Sequence, residues 1–296
     1  MRRLAIVCAL ALSVLCSAAP ASAESFQSGS LKVDVYGTAG KPALIFIPGL
    51  TCGPWEWTRE IARYSPAYRV YAITLPGFDG APGVSTPLFT TVEADFWNLL
   101  ETRGIQKPAL IGHSIGGTLA IALAEQHPDR LRSAIAVDGL PIFPGMDFMN
   151  APQRSAMAAQ TAAMIAATPQ AQFAASQKRT LPYMVTSPKD VDAIANAAAN
   201  TDPAVAAQWV KEDLLLDLRP GLKSAAVPIL EIAPFDPQLD PFGPGKFADP
   251  AAKQRYYESL LAGAPQAKVQ VIQPSRHFIM YDRPAALDAA LDAALR

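Results

Sequence analysis

An α/β fold built on a doubly wound, mostly parallel sheet is the architecture this sequence predicts. Two observations carry that expectation. Short apolar runs such as ALIFIP (43–48) and RSAIAVD (132–138) recur along the chain, as strands covered on both faces require. Between them lie longer stretches of helical spacing, with Gly or Pro at the joints.

The composition suits that fold. The 296 residues are 50% apolar and 17% charged, with a formal net charge of −1. Such a balance favours a large buried core and argues against a disordered chain. It also argues against a nucleic-acid partner, because no basic excess is present to neutralise phosphates.

Residues 1–23, MRRLAIVCALALSVLCSAAPASA, differ in character from the rest. Arg2 and Arg3 precede an apolar stretch from Leu4 to Cys16, and small residues follow up to Ala23. This three-part pattern predicts a secretory signal peptide cleaved after Ala23, and hence a periplasmic or secreted bacterial protein. The apolar run is shorter than the ~20 residues that span a bilayer, so no stable membrane anchor is expected. Leu15 stands where a lipoprotein cleavage site wants a small residue. Cleavage removes Cys8 and Cys16 and leaves only Cys52, so the mature chain forms no internal disulfide and depends on its core.

The first element of the mature chain, LKVDVYG (31–37), alternates as an edge or half-buried strand does. ALIFIP (43–48), RVYAIT (69–74), PALIGHS (108–114), RSAIAVD (132–138), VPILEIA (227–233) and AKVQVIQ (267–273) follow as buried strands. Helices are expected over 55–64, 88–103, 115–126, 251–262 and 284–295, each in the interval after a strand. The stretch 139–226 breaks the alternation. It is too long for a loop in a compact domain, is rich in Ala and Met, and reads as short helices separated by Pro. We expect it to form a helical cap over the carboxyl edge of a core made of residues 24–138 and 227–296.

Residues 109–120, ALIGHSIGGTLA, set Gly112-His113-Ser114-Ile115-Gly116 between a buried strand and an apolar helix. This arrangement resembles the G-x-S-x-G nucleophile elbow of the α/β-hydrolase fold family. In that motif the serine sits on a strained turn, and the positions two before and two after it must lack bulk. Gly112 and Gly116 meet the demand, Gly117 lets the helix pack closely, and the helix amino terminus favours developing negative charge. The resemblance extends over most of the mature chain. IFIPGLTCGPWEW (45–57) is similar to the family's strand and oxyanion loop, with Pro48-Gly49 where His-Gly is usual. TLPGFDG (74–80) resembles the next strand and loop, with Thr74 and Phe78 as departures. The resemblance implies that the cap lies between strands 6 and 7 of the family's sheet.

A serine hydroxyl is a poor nucleophile until a base takes its proton. The chain holds three histidines. His113 adjoins Ser114 and on an elbow points away from it, while His127, in AEQHPDRL, lies at the far end of the following helix. His277, in QPSRHFIMYDRP after the last expected strand, stands where the family's base falls. For the acid, two strand ends compete. Asp138, in SAIAVDGLP, closes an apolar strand at the sheet edge where open α/β folds bind ligands. Asp236, in ILEIAPFDP, holds the position most relatives use, and Asp240 follows it. The blocks VDGLP, DLRP and SRHFIMYDRP resemble a bacterial subgroup that uses the earlier acid, so Asp138 is favoured and Asp236 is the alternative.

The family's geometry implies an oxyanion hole at the backbone N–H groups of Leu50 and Ile115. One such donor is worth about 2.7–4 kcal/mol in a serine protease. Trp55, Phe143 and Met146 are candidate walls of an apolar, pliable substrate site. Cys52 is expected to pack rather than react. No metal is expected, since three scattered histidines and one mature cysteine do not make a typical zinc site, and no cofactor is implied. The expected activity is hydrolysis of a small or medium carboxylic ester, on an apolar small molecule, through an acyl-enzyme. Amide, lactone or carbon–carbon hydrolysis by the same triad is the alternative, as is a non-hydrolytic lyase or binding use of the fold.

Overall fold

Eight strands form one sheet in the computed structural model, which describes residues 24–243 and 245–296. The expected signal peptide, residues 1–23, lies outside the described residues. The chain opens with a hairpin, Glu24–Ser28 (β1) and Leu31–Tyr36 (β2), turned at Gly29 with a left-handed φ of 57°. Ala43–Ile47 (β3), Thr58–Tyr64 (α1), Arg69–Thr74 (β4), Leu88–Thr102 (α2), Ala109–His113 (β5), Ile115–Gln126 (α3) and Ser133–Val137 (β6) follow. Four helices then intervene, Ala151–Ala166 (α4), Gln170–Thr180 (α5), Pro188–Ala198 (α6) and Pro203–Leu215 (α7). Ile229–Pro234 (β7), Pro250–Leu261 (α8), Ala267–Ile272 (β8), Ile279–Asp282 (α9) and Pro284–Ala294 (α10) close the chain.

The strand order is β1-β2-β4-β3-β5-β6-β7-β8, antiparallel at β1–β2–β4 and parallel from β4 through β8. The central strands β5 and β6 are buried along their whole length, and β3 nearly so, which explains their unbroken apolar runs. Successive side chains feed opposite faces. Ile45 and Leu110 enter the apolar layer that holds Phe96 and Ile121, while Phe46 and Ile111 enter the one that holds Trp57 and Leu291. Each large side chain buried in this way contributes roughly 1.5–3 kcal/mol.

β1 was not expected from the sequence. Its residues are mostly exposed and polar, so no hydrophobic alternation marks it. The hairpin register and Phe26, with the Arg103 guanidinium 3.4 Å above its ring, hold it in place.

The helices between β6 and β7 are tied to the sheet domain through α7. Glu212 places its carboxylate at the amino terminus of α2, accepting from Leu88 N (2.8 Å) and Phe89 N (2.9 Å). There it satisfies otherwise orphaned helix donors and complements the helix dipole. Trp209, fully buried, packs against Phe78 and Phe89 and donates its indole N–H to Pro76 O at 3.1 Å. α4 begins with a reciprocal capping box between Asn150 and Gln153.

Candidate active site

Ser114 stands alone between β5 and α3, with φ 53° and ψ −123°. A non-glycine residue in such a region stores of order 1–3 kcal/mol and persists only where its surroundings hold it. Here Ser114 N donates to Val137 O (2.9 Å), and its carbonyl accepts from Gly117 N (2.8 Å) and Thr118 N (3.0 Å). The flanking glycines are sterically required. A Cβ on Gly116 would sit 2.5 Å from Ile47 O and 2.6 Å from Pro48 O, and one on Gly112 would run into the Gly116 carbonyl.

Asp138 follows β6 with φ 52°, its N–H bonded to Ile232 O at 3.0 Å. The carboxylate is held at both oxygens. Oδ2 lies 2.5 Å from His277 Nδ1, and Oδ1 accepts from the Tyr257 hydroxyl at 2.7 Å. Burial pushes the Asp138 carboxyl up, but the hydrogen bond and charge of His277 outweigh that and hold it at about 2. An ionised Asp138 fixes the His277 proton on Nδ1 and leaves Nε2 as an acceptor. Glu231, paired with Ala136 across β6 and β7, is fully buried. Burial and the nearby Asp138 charge push its carboxyl well above the usual range, so Asp138 is the ionised member of the two.

Asp236 and Asp240 are engaged elsewhere. Asp236 Oδ2 accepts from Arg276 Nε at 2.6 Å and its Oδ1 accepts from Gln238 N at 2.8 Å. Asp240 pairs with Lys253 Nζ at 2.7 Å. The alternative acid therefore clamps the residue next to His277 and does not reach the imidazole.

His113 is buried, with Nδ1 2.6 Å from Glu56 Oε1 and Nε2 3.1 Å from His277 O. A carbonyl only accepts, so Nε2 carries a proton. Burial lowers the His113 pKa, but the charge and hydrogen bond of Glu56 outweigh it and the net shift is upward. The second Glu56 oxygen accepts from Gly49 N at 2.9 Å. The buried Glu56–His113 contact thus ties the Gly49–Thr51 loop to the backbone of His277.

Ser114, Asp138, His277, Leu50 and Ile115 all line one cavity of about 450 Å³. The N–H groups of Leu50 and Ile115 have no hydrogen-bond partner among the described residues. Ile115 is the first residue of α3, so its N–H is an orphan by construction. Thr51, at φ 64°, and a Cys52 N to Gly49 O bond of 3.1 Å shape the loop that presents Leu50.

Residues 44–290 match the profile of the alpha/beta hydrolase family. The chain belongs to the alpha/beta hydrolase family. Among its curated relatives, 3-oxoadipate enol-lactonase 2 of Acinetobacter baylyi is 24% identical over 274 residues, covering 91% of this chain and 94% of that protein. The pimeloyl-acyl-carrier protein methyl ester esterase of Aeromonas hydrophila is 32% identical over 121 residues, 40% of this chain and 45% of that protein. That match thus spans less than half of the relative's length. Among solved structures, an esterase from Thermogutta terrifontis superposes with a TM-score of 0.73 at 20% identity, over 93% of this chain and 98% of that one. The enol-lactonase from Burkholderia xenovorans gives 0.70 at 19% identity, over 90% and 96%. Both likenesses show the fold.

Within this alpha/beta hydrolase, the three expected wall residues separate. Phe143 lines the cavity. Trp55 does not: it packs against the Trp57 layer and borders a second depression with Arg59 and Glu60. Met146 is buried in a small cluster with Leu140, Ile142 and Tyr257, because the turn at Gly145 folds it inward. Cys52 lines the cavity as a buried thiol, which burial and Glu56 push well above its usual range. Glu56 and Tyr257, which hold His113 and Asp138, are among the polar residues not singled out from the sequence. Glu56, a carboxylate between two tryptophans in an apolar stretch, did carry a signal, since a buried acid demands a partner. Tyr257, one of two adjacent tyrosines on α8, carried none.

Proposed function

We propose that this protein is a serine hydrolase cleaving a small or medium, largely apolar carboxylic ester through an acyl-enzyme intermediate. One observation carries the proposal. The 2.5 Å Asp138–His277 pair faces the same cavity as Ser114, held in strained backbone geometry. In this scheme Ser114 Oγ attacks the ester carbonyl as His277 Nε2 takes its proton, and Asp138 stabilises the imidazolium. The backbone N–H groups of Leu50 and Ile115 receive the oxyanion. Collapse expels the alcohol, which takes the proton from His277, and a water activated by the same imidazole releases the acid. Lactone opening is a second reading, favoured by the relative named as an enol-lactonase that aligns over 94% of its length. It differs only in that the leaving alcohol stays attached to the acyl group.

A fluorophosphonate probe is expected to label the wild-type protein and to miss Ser114→Ala. Ester hydrolysis in that variant should fall by at least about 10⁴-fold. No labelling of folded wild-type protein would sink the proposal. A panel of p-nitrophenyl esters of graded length, beside lactones, then separates the two readings.

Export is part of the proposal. Cleavage after Ala23 makes Glu24, the first residue of β1, the amino terminus. Amino-terminal sequencing of protein from the periplasm of a bacterial host should therefore begin at Glu24. Recovery of the uncleaved chain from the cytoplasm alone would contradict it.

A further inference from the structure

The cavity at Ser114 has an uneven charge lining. No Lys or Arg lines it among the described residues, and the inserted helices contribute two polar side chains, Gln177 of α5 and Asp213 of α7. Val210 and Asp213, three residues apart and so neighbours on one helix face, both form part of the wall. The position of α7 is fixed just before them by the buried Trp209.

The other acid of the cavity lining and the acid next to Asp213 in sequence both have partners. Asp138 meets His277 and Tyr257, and Glu212 meets the amino terminus of α2. Asp213 makes no side-chain hydrogen bond or ion pair among the described residues. No charged group offsets its burial, and desolvation alone pushes its carboxyl up to about 7. Asp213 is half-buried at a largely apolar wall and has no donor or cation to compensate its carboxylate, and a ligand bearing the missing charge supplies that compensation.

We propose that Asp213 sets the specificity of this site by pairing with a cationic, amine-type group on the substrate. The substrate class is then an apolar ester bearing an ammonium group, and carboxylate-bearing esters are rejected. This rests on the hydrolase reading above. The missing cation explains both features of the lining: the carboxylate supplies the attraction, and with no Lys or Arg present and His113 already held by Glu56, an anionic substrate finds no unpaired cationic side chain on the cap side of the wall.

The test compares isosteric esters that differ only in charge. p-Nitrophenyl 4-(trimethylammonio)butanoate against p-nitrophenyl 5,5-dimethylhexanoate varies the acyl side. Choline butyrate against 3,3-dimethylbutyl butyrate varies the alcohol side, and mono-p-nitrophenyl glutarate supplies the carboxylate. After correction for the alkaline hydrolysis rate of each ester, kcat/KM should favour the cation in at least one pair by about tenfold, with the glutarate below the neutral ester. In Asp213→Asn, whose side chain is the same size, that ratio should fall to within about twofold of unity. Turnover of neutral esters with no preference for the cation in either pair overturns the assignment and leaves the hydrolase reading standing. A preference that persists in Asp213→Asn also overturns it. Failure to turn over any ester, charged or neutral, overturns both.

Discussion

Asp138→Asn is expected to lower kcat by about 10⁴-fold with the fold retained, the size of effect that the same exchange has in a serine protease triad. The geometry gives the reason. The Asn carbonyl oxygen would keep accepting from Tyr257, whose hydroxyl now sits 2.7 Å from Oδ1. The amide NH₂ would then face His277 Nδ1, now 2.5 Å from Oδ2, and donate to it. That moves the imidazole proton to Nε2, the atom that must accept the proton of Ser114. Asp236→Asn should change kcat by less than about tenfold, because its carboxylate meets Arg276 rather than the imidazole. The opposite ranking, measured on one p-nitrophenyl ester, would return the acid to Asp236.

The same carboxylate settles the pH dependence. Asp138 is held at about 2, below the ~3.9 of an unfolded aspartate, so its contribution to stability is present above about pH 4 and is lost as the pH falls through about 2. It therefore stays ionised wherever the enzyme works. No loss of activity through protonation of Asp138 is therefore expected above about pH 4, which a profile of kcat against pH checks.

Glu56→Ala should cost about 3–5 kcal/mol of stability, because it removes the partner of the buried His113 ring. In a chain of this size that lowers Tm by roughly 10 °C. It also frees Gly49 N–H and loosens the loop that carries Leu50, while His113 loses the partner that aims it at His277 O. A displacement of about 1 Å in a reacting group can cost 10²-fold, and a fall in kcat of that order is expected. Glu56→Gln keeps the shape and one acceptor for Gly49 N–H but removes the charge, so its losses should be smaller. Thermal unfolding and kcat measured on both variants check this. A Glu56→Ala protein with unchanged Tm and kcat would show that the Glu56–His113 contact holds nothing.

Much of the fold was legible because it is written in contiguous residues. β3, β5 and β6 are covered on both faces, and that requirement prints an unbroken apolar run. The turn at Ser114 demands two glycines within five residues, a steric rule that leaves a readable pattern. His277 stood out because the chain has so few histidines, and the positions of the other two on the elbow and its helix were already accounted for. β1 left no pattern because an exposed polar strand has no buried face to record.

The acid was legible only in part, through the resemblance that favoured Asp138 over Asp236, and the sheet explains why. β6 and β7 are parallel neighbours, with Val137 beside Ile232, so both Asp138 and Asp236 follow strand ends on the same edge. Local sequence is the same kind of argument for each. Only the packing of the loop after β8 decides, since Arg276 takes Asp236 while the next residue turns its imidazole onto Asp138. The Glu56–His113 bridge and the unpaired Asp213 in the cavity wall are of the same kind, set by contacts between distant segments. By itself the sequence determined the buried strands and the tight glycine-flanked turn at Ser114, because burial and steric clearance act on neighbouring residues. The tertiary structure decided the charge partners, because a hydrogen bond between residues 139 positions apart depends on where two elements are packed and on nothing local to either.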